Sequence, residues 1–237
     1  MKTKSAFTMI ELVFVIVVLG ILASLAMGRM DRDLRQEAAS TILSHIRLTQ
    51  QLALRDNKHR SDNDVKWQKA YWRFEYADCS DAKNKDGSKS LYFRVGSDID
   101  RRNNIDKKES AINPINGKYL YSFNTCNNLK SDESPEVLMS KKFGIRKVEM
   151  DRKHGGCGIA SGRSSSKQIA FDYLGRPHRG VQGYNSASDF FKKLMVNDCN
   201  ITFILSTDQD NDNLDDNFTI TIKANTGHVF VVGQEDL

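Results

Sequence analysis

The chain changes its hydrophobic rhythm twice. Residues 7–27 are almost continuously apolar and carry a single charge, Glu11. A run of that length spans the hydrocarbon core of a bilayer as a helix. Beyond Gly28 the apolar residues thin to a stripe: Leu34, Ala38, Ile42, Ile46, Thr49 and then Leu52 or Ala53. Steps of three and four define one face of a helix, and Arg32, Arg35, Gln36, Glu37, Arg47 and Gln50 supply the polar remainder. The pattern predicts one helix over 7–56, apolar all round in its first half and amphipathic in its second.

Past residue 60 the period falls to two. Trp72, Phe74 and Tyr76 alternate with Tyr71, Arg73 and Glu75. Leu91, Phe93 and Val95 repeat the alternation, with Asp86-Gly87 in the turn region between them. Further strands are expected at 117–123, 145–150, 167–174, 200–206, 218–223 and 228–232, the last two joined by an Ala-Asn-Thr-Gly loop. Segments 97–116 and 127–135 read as loops. The fold class is α+β: a long N-terminal helix packed on an antiparallel β domain over 57–237.

Charge and cysteines refine this picture. Of the formal net charge of +5, Lys2 and Lys4 contribute two, leaving +3 for a chain that begins at residue 7. So small an excess does not by itself imply nucleic-acid binding. The charges are segregated: residues 141–154 are basic, whereas 208–216 hold five Asp and no base. The four cysteines, Cys79, Cys126, Cys157 and Cys199, show no metal-ligand spacing. An even number in an exported domain points to two disulfides. Of three possible connectivities, the sequence-local one joins Cys79 to Cys126 and Cys157 to Cys199.

Glu11 is the residue that needs a reason. A carboxylate within a membrane helix costs roughly 2.5–3.5 kcal/mol on insertion scales and normally has a partner. Cleavage before Phe7 would create an α-amino group one helical turn away. Glu11 of one subunit then has a cation to pair with on its neighbour. Lys2 and Lys4 would hold residues 1–6 in the cytoplasm and send the C-terminus outward.

The stretch Ala6-Phe-Thr-Met-Ile-Glu11, followed by LVFVIVVLGILASLA, resembles the N-terminal signal of type IV pilins and type II secretion pseudopilins. The resemblance implies a leader peptide at 1–6, cleavage between Ala6 and Phe7 by a prepilin peptidase, and N-methylation of Phe7. It also implies that Glu11 guides assembly. The residue before the cut is usually Gly, and here it is Ala6. A looser likeness, IAFDYLGRP at 169–177 with a closing TGHVFVV hairpin, resembles the GspH/FimT group of minor pilins. The implied partners are other pilin or pseudopilin subunits, the peptidase and an inner-membrane assembly platform. The implied location is the inner membrane, crossed once, with the globular domain in the periplasm.

Three other clusters invite a role. Asp208, Asp210, Asp212, Asp215 and Asp216 offer oxygen ligands at alternate positions, suited either to calcium or to a solvated acidic loop. Asp98, Asp100 and Asp106 form a second, weaker set. Arg176, His178 and Arg179, like Arg152, Lys153 and His154, could contact DNA phosphates, the basis of a DNA-uptake alternative. A third reading is a signal-anchored periplasmic enzyme, but no nucleophile elbow, phosphate loop or Ser/His/Asp spacing is present.

Overall fold

The computed structural model describes residues 8–59, 65–102, 104–151, 157, 167–179, 181, 193–206 and 217–234, with 24–33 described as helix backbone only. Helix α1 runs unbroken over Met9–Arg55, 47 residues, or roughly 70 Å at ~1.5 Å per residue. Gly28 does not interrupt it. Its C-terminus is tied to the domain through Asp56, which accepts a hydrogen bond from Trp72 Nε1 at 2.8 Å.

The strands fall into two antiparallel sheets. The first contains β1 (Trp72–Lys83), β2 (Lys89–Ser97), β4 (Gln168–Phe171) and β5 (Pro177–His178), in the order β2-β1-β4-β5. The second contains β3 (Ile145–Met150), β6 (Cys199–Leu205), β7 (Asn217–Ile222) and β8 (Val229–Val231), in the order β3-β6-β7-β8. A short helix, α2 (Met139–Phe143), precedes β3 and ends on Gly144 in the left-handed conformation.

Helix α1 touches β1, β2 and β4 of one sheet and β7 and β8 of the other. The expected stripe is the contact face: Ala38, Ile42, Ile46, Thr49 and Ala53 are buried, joined by Ala39 and His45. They meet Phe74, Phe93, Phe171, Phe203 and Ile220 in one continuous core. Polar side chains of α1 then pin individual turns. Arg47 donates to Val229 O from Nε and Nη2 at 3.1 and 2.9 Å. Gln50 Nε2 donates to Gly175 O at 2.9 Å and to Thr226 O at 3.0 Å.

The expectation of a strand at 117–123 is not met. Its backbone groups go to scattered partners: Leu120 N–H to Ala111 O, Tyr119 N–H to Asp132 O, and Leu120 O to Val95 N–H. Only isolated bridges result, at Ile112 with Tyr119 and at Tyr119 with Glu133. Nor does alternation in β1 separate core from solvent. Arg73, Glu75 and Arg94 lie opposite the α1 face and are also buried, under the Val65–Ala70 turn and the loop through Ile105. They pair internally: Arg73 Nε with Glu75 at 3.2 Å, Arg94 Nη2 with Glu75 at 2.6 Å, and Arg73 Nη1 with Asp98 at 3.8 Å. Removing one member would strand a buried charge.

Both disulfides take the sequence-local pairing. Cys79–Cys126 and Cys157–Cys199 have Cα separations of 5.8 and 4.8 Å. The first ties β1 to the loop before α2; the second ties the start of β6 to the chain beyond β3.

Gly227 sits at the closest approach of α1, the β7–β8 loop and the Gly175 turn. Its φ is +68°, and a Cβ there would collide with Gly175 O and Gln50 Nε2. Gly227→Ala is therefore expected to cost about 1–3 kcal/mol. Urea unfolding of the purified chain reads the cost directly, and an unchanged midpoint would contradict this packing.

Candidate functional site at the helix N-terminus

Thr8 caps α1 from an extended conformation, with ψ at 150°. Its Oγ1 accepts the Glu11 N–H at 3.3 Å. Glu11 returns the contact: its Oε2 accepts from the Thr8 N–H and from the Thr8 hydroxyl, each at 2.8 Å. This capping box satisfies orphan donors of the first turn and holds the carboxylate beside the start of the helix. Among the described residues, Glu11 Oε1 makes no hydrogen bond. Ala6 and Phe7, the expected cleavage and methylation positions, lie outside the described residues.

The surroundings are apolar and uncovered. Side chains from Ile10 to Leu22 face outward, with Phe14 70% and Leu19 59% exposed. Isolated exposed apolar residues are ordinary, but a continuous sheath of them marks a surface that other molecules cover. Among the described residues no helix is long and apolar enough to cross a membrane. The side chains described in this half of α1 end at Ala23, short of the ~20 residues a spanning helix needs. The expected span of 7–27 reaches into residues outside that set.

Residues 1–27 match a family profile described as the Prokaryotic N-terminal methylation motif. The comparison with curated proteins found no match, and the comparison with solved structures found none. The motif supports a type IV pilin-like or pseudopilin subunit, one that is processed by a prepilin peptidase and assembles with other pilin subunits. The α+β architecture, with its N-terminal helix laid on antiparallel sheets, is consistent with a pilin-like fold.

Of the three residues that could contact DNA phosphates, Arg176 and Arg179 are partly exposed and only His178 is buried. His178 is fully buried, with Nε2 3.2 Å from Asp172 Oδ2. Arg176 Nε donates to the same oxygen at 2.8 Å, and its backbone N–H donates to Asp172 Oδ1 at 2.9 Å. Arg179 is half-buried. The Gly-Arg-Pro-His-Arg segment is thus a turn folded onto an aspartate. The cue in the sequence is Asp172 itself, placed two residues before Leu174 so that its carboxylate can accept from the backbone of the turn. Arg152, Lys153 and His154 lie outside the described residues.

Of the acidic sets, Asp208, Asp210, Asp212, Asp215 and Asp216 lie outside the described residues. In the other set the structure groups Asp98 and Asp100 with Glu109 rather than Asp106, one oxygen from each within 4.8 Å of the rest. Those oxygens already have work. Glu109 accepts from the N–H groups of Ile99, Asp100 and Asp106, at 2.7, 3.0 and 2.9 Å. Asp98 accepts from Arg102 N–H and lies beside Arg73. The arrangement is that of a loop closed by its own carboxylates.

Two histidines, His45 and His178, are buried. His45, on α1, sets Nε2 3.1 Å from Glu136 Oε2 and packs on Phe93. Asn113 Nδ2 holds the same Glu136 oxygen at 2.7 Å. Burial lowers the pKa of His45 against the opposing pull of Glu136. Burial likewise lowers that of His178 against Asp172. For Asp172, burial alone would raise the pKa, but bonds from His178 and Arg176 bring it below the usual value.

The unfolded chain therefore binds more protons at both histidines below their ordinary value of about 6.5, and stability falls as the pH drops through that region. Asp172 adds a loss of the same sign at lower pH. The melting temperature is expected to decline between about pH 7.5 and about pH 5, less steeply in His45→Gln than in the parent. A flat or rising profile would contradict the burial of these rings as neutral groups.

Proposed function

We propose that the chain is a minor pilin or pseudopilin subunit, assembled into a type II secretion pseudopilus or a type IV pilus. Residues 1–6 act as the leader, the peptidase cuts between Ala6 and Phe7, and Phe7 becomes N-methylated. Before assembly, 7–27 anchors the subunit in the inner membrane as a single span with the globular domain in the periplasm. After assembly the same surface packs against its neighbours in the filament core. The β4 turn and the closing β7–β8 hairpin resemble the GspH/FimT group in pattern. The role is structural and not enzymatic.

The observation that carries this reading is a carboxylate, Glu11, set among the exposed apolar side chains that run from Met9 to Leu22 in the first half of α1. Its own Thr8 engages one oxygen. The other is directed to the α-amino group of an adjoining subunit, a charge-assisted contact in a medium of low dielectric constant. The two disulfides fit an oxidising compartment such as the periplasm.

The test is incorporation. Glu11→Leu is expected to insert in the membrane and fold normally, yet to fall at least about ten-fold in sheared filament fractions, as loss of a buried charge partner predicts. Unchanged incorporation of Glu11→Leu would sink the proposal.

A further inference from the structure

A cleft of about 590 Å³ opens where the β1–β2 hairpin meets α2 and β3, lined by Lys83, Lys85, Ser140, Lys141, Arg146 and Ser206. A second hollow of about 330 Å³ shares Arg146 with it and continues along Lys89, Lys147 and Val148. Cation density in these two hollows far exceeds what the small net charge of the chain suggests. Some of it is spent locally: Lys167 bonds Asp78 at 2.9 Å, Lys147 pairs with Glu149, and Asp86, which lines the first cleft, lies in the field of Arg146. Lys83, Lys85 and Lys141 are exposed, and among the described residues they form no ion pair.

The backbone beside them is also unfinished. β3 is the outermost strand of its sheet, and its only ladder among the described residues is with β6. β2 is outermost in the other sheet, but its outer side is occupied: Val95 bonds Leu120 O and Ala111 N–H, Gly96 bridges Ser110, and Leu91 N–H donates to Ser140 Oγ. Val148 of β3 and Leu91 of β2 line the same hollow. An exposed edge presents a row of N–H and C=O groups to any extended chain, and lysines along it repel neutral or basic strands. A strand bearing carboxylates reverses that discrimination, because opposite charges across a strand pair attract.

We propose that this cleft and the outer edge of β3, unpaired among the described residues, receive an extended, carboxylate-rich peptide segment of the adjoining filament subunit. The inference rests on the filament reading and names the contact chemistry within it. The segment adds main-chain hydrogen bonds to β3 and sets its acidic side chains against Lys83, Lys85 and Lys141, the mode of strand addition. Phosphates of a nucleic acid would satisfy the lysines and leave the strand edge unused, so the edge favours a polypeptide. The chain itself carries a segment of the required chemistry at 208–216, with five Asp and no base.

The experiment uses the purified full-length chain in detergent micelles and a fluorescent alternating Glu–Val peptide. Its comparators are an alternating Lys–Val peptide, a short DNA duplex, and the Glu–Val peptide N-methylated at every second residue. Saturable binding of the Glu–Val peptide alone is expected. The triple variant Lys83→Glu, Lys85→Glu, Lys141→Glu should weaken it about ten-fold or more. The control triple Lys108→Glu, Lys118→Glu, Lys130→Glu, equal in charge but outside the cleft, should leave it within about two-fold.

Equal weakening by the two triples would reduce the effect to net charge and overturn the proposal. So would undiminished binding of the N-methylated peptide, DNA binding as tight as that of the acidic peptide, or no binding at all. These outcomes do not depend on leader cleavage or on Glu11, so failure here leaves the filament reading to its own test.

Discussion

The structure depends on one helix with two unlike halves, one packed on the β-sheets and one apolar and exposed. The second half of α1 buries a narrow face built largely from small residues, Ala38, Ala39 and Ala53 beside Ile42 and Ile46. Small side chains let the helix axis approach the strands closely, so aromatic rings from both sheets fill the space around the isoleucines. The two sheets share no strand. Both pack on α1, where Arg47 reaches Val229 of β8 and Gln50 reaches the β4–β5 and β7–β8 turns, and they also meet directly and through α2, at β2 and β3. The first half has no such face to offer. From Leu12 to Leu22 it is apolar around its whole circumference, and no other described residue covers it, the kind of surface that other molecules cover.

Burial of polar groups elsewhere follows from the thickness of the domain. The first sheet is covered on both sides, by α1 on one and by the turn at Val65–Ala70 and the loop through Ile105 on the other. Arg73, Arg94 and Glu75 are therefore enclosed, and only their mutual pairing with Asp98 and Gln168 makes that tolerable. The same economy explains His178, Asp172 and Arg176, which close a tight turn around Gly175 at a φ of +77°.

Elements with a clean period were legible in the sequence: α1 and its stripe, β1 and β2 with the turn at Gly87, and β3, β6, β7 and β8. Those that escaped lack a period. β5 has two residues and α2 five, too short for any repeat. The segment around Leu120 has the alternation of a strand but divides its hydrogen bonds between two loops, at Ala111 and Asp132, and Val95 of β2. Reading polar positions in β1 as an outer face would have failed because coverage of that face comes from residues distant in sequence. At the helix head, Glu11 stood out because an acid within an apolar run is costly wherever the fold places it. His178 misled because neighbouring arginines suggested an open patch, whereas Asp172, close by in sequence, takes the charge.

If the head of α1 is made by proteolysis and then used as a contact, as proposed, intact-mass analysis of the chain extracted from its native membrane and filament fractions will find, in filaments, a polypeptide beginning at Phe7 with one methyl group on its amine. A filament form that retains residues 1–6, or one cut after the apolar run and so lacking Glu11, would contradict it.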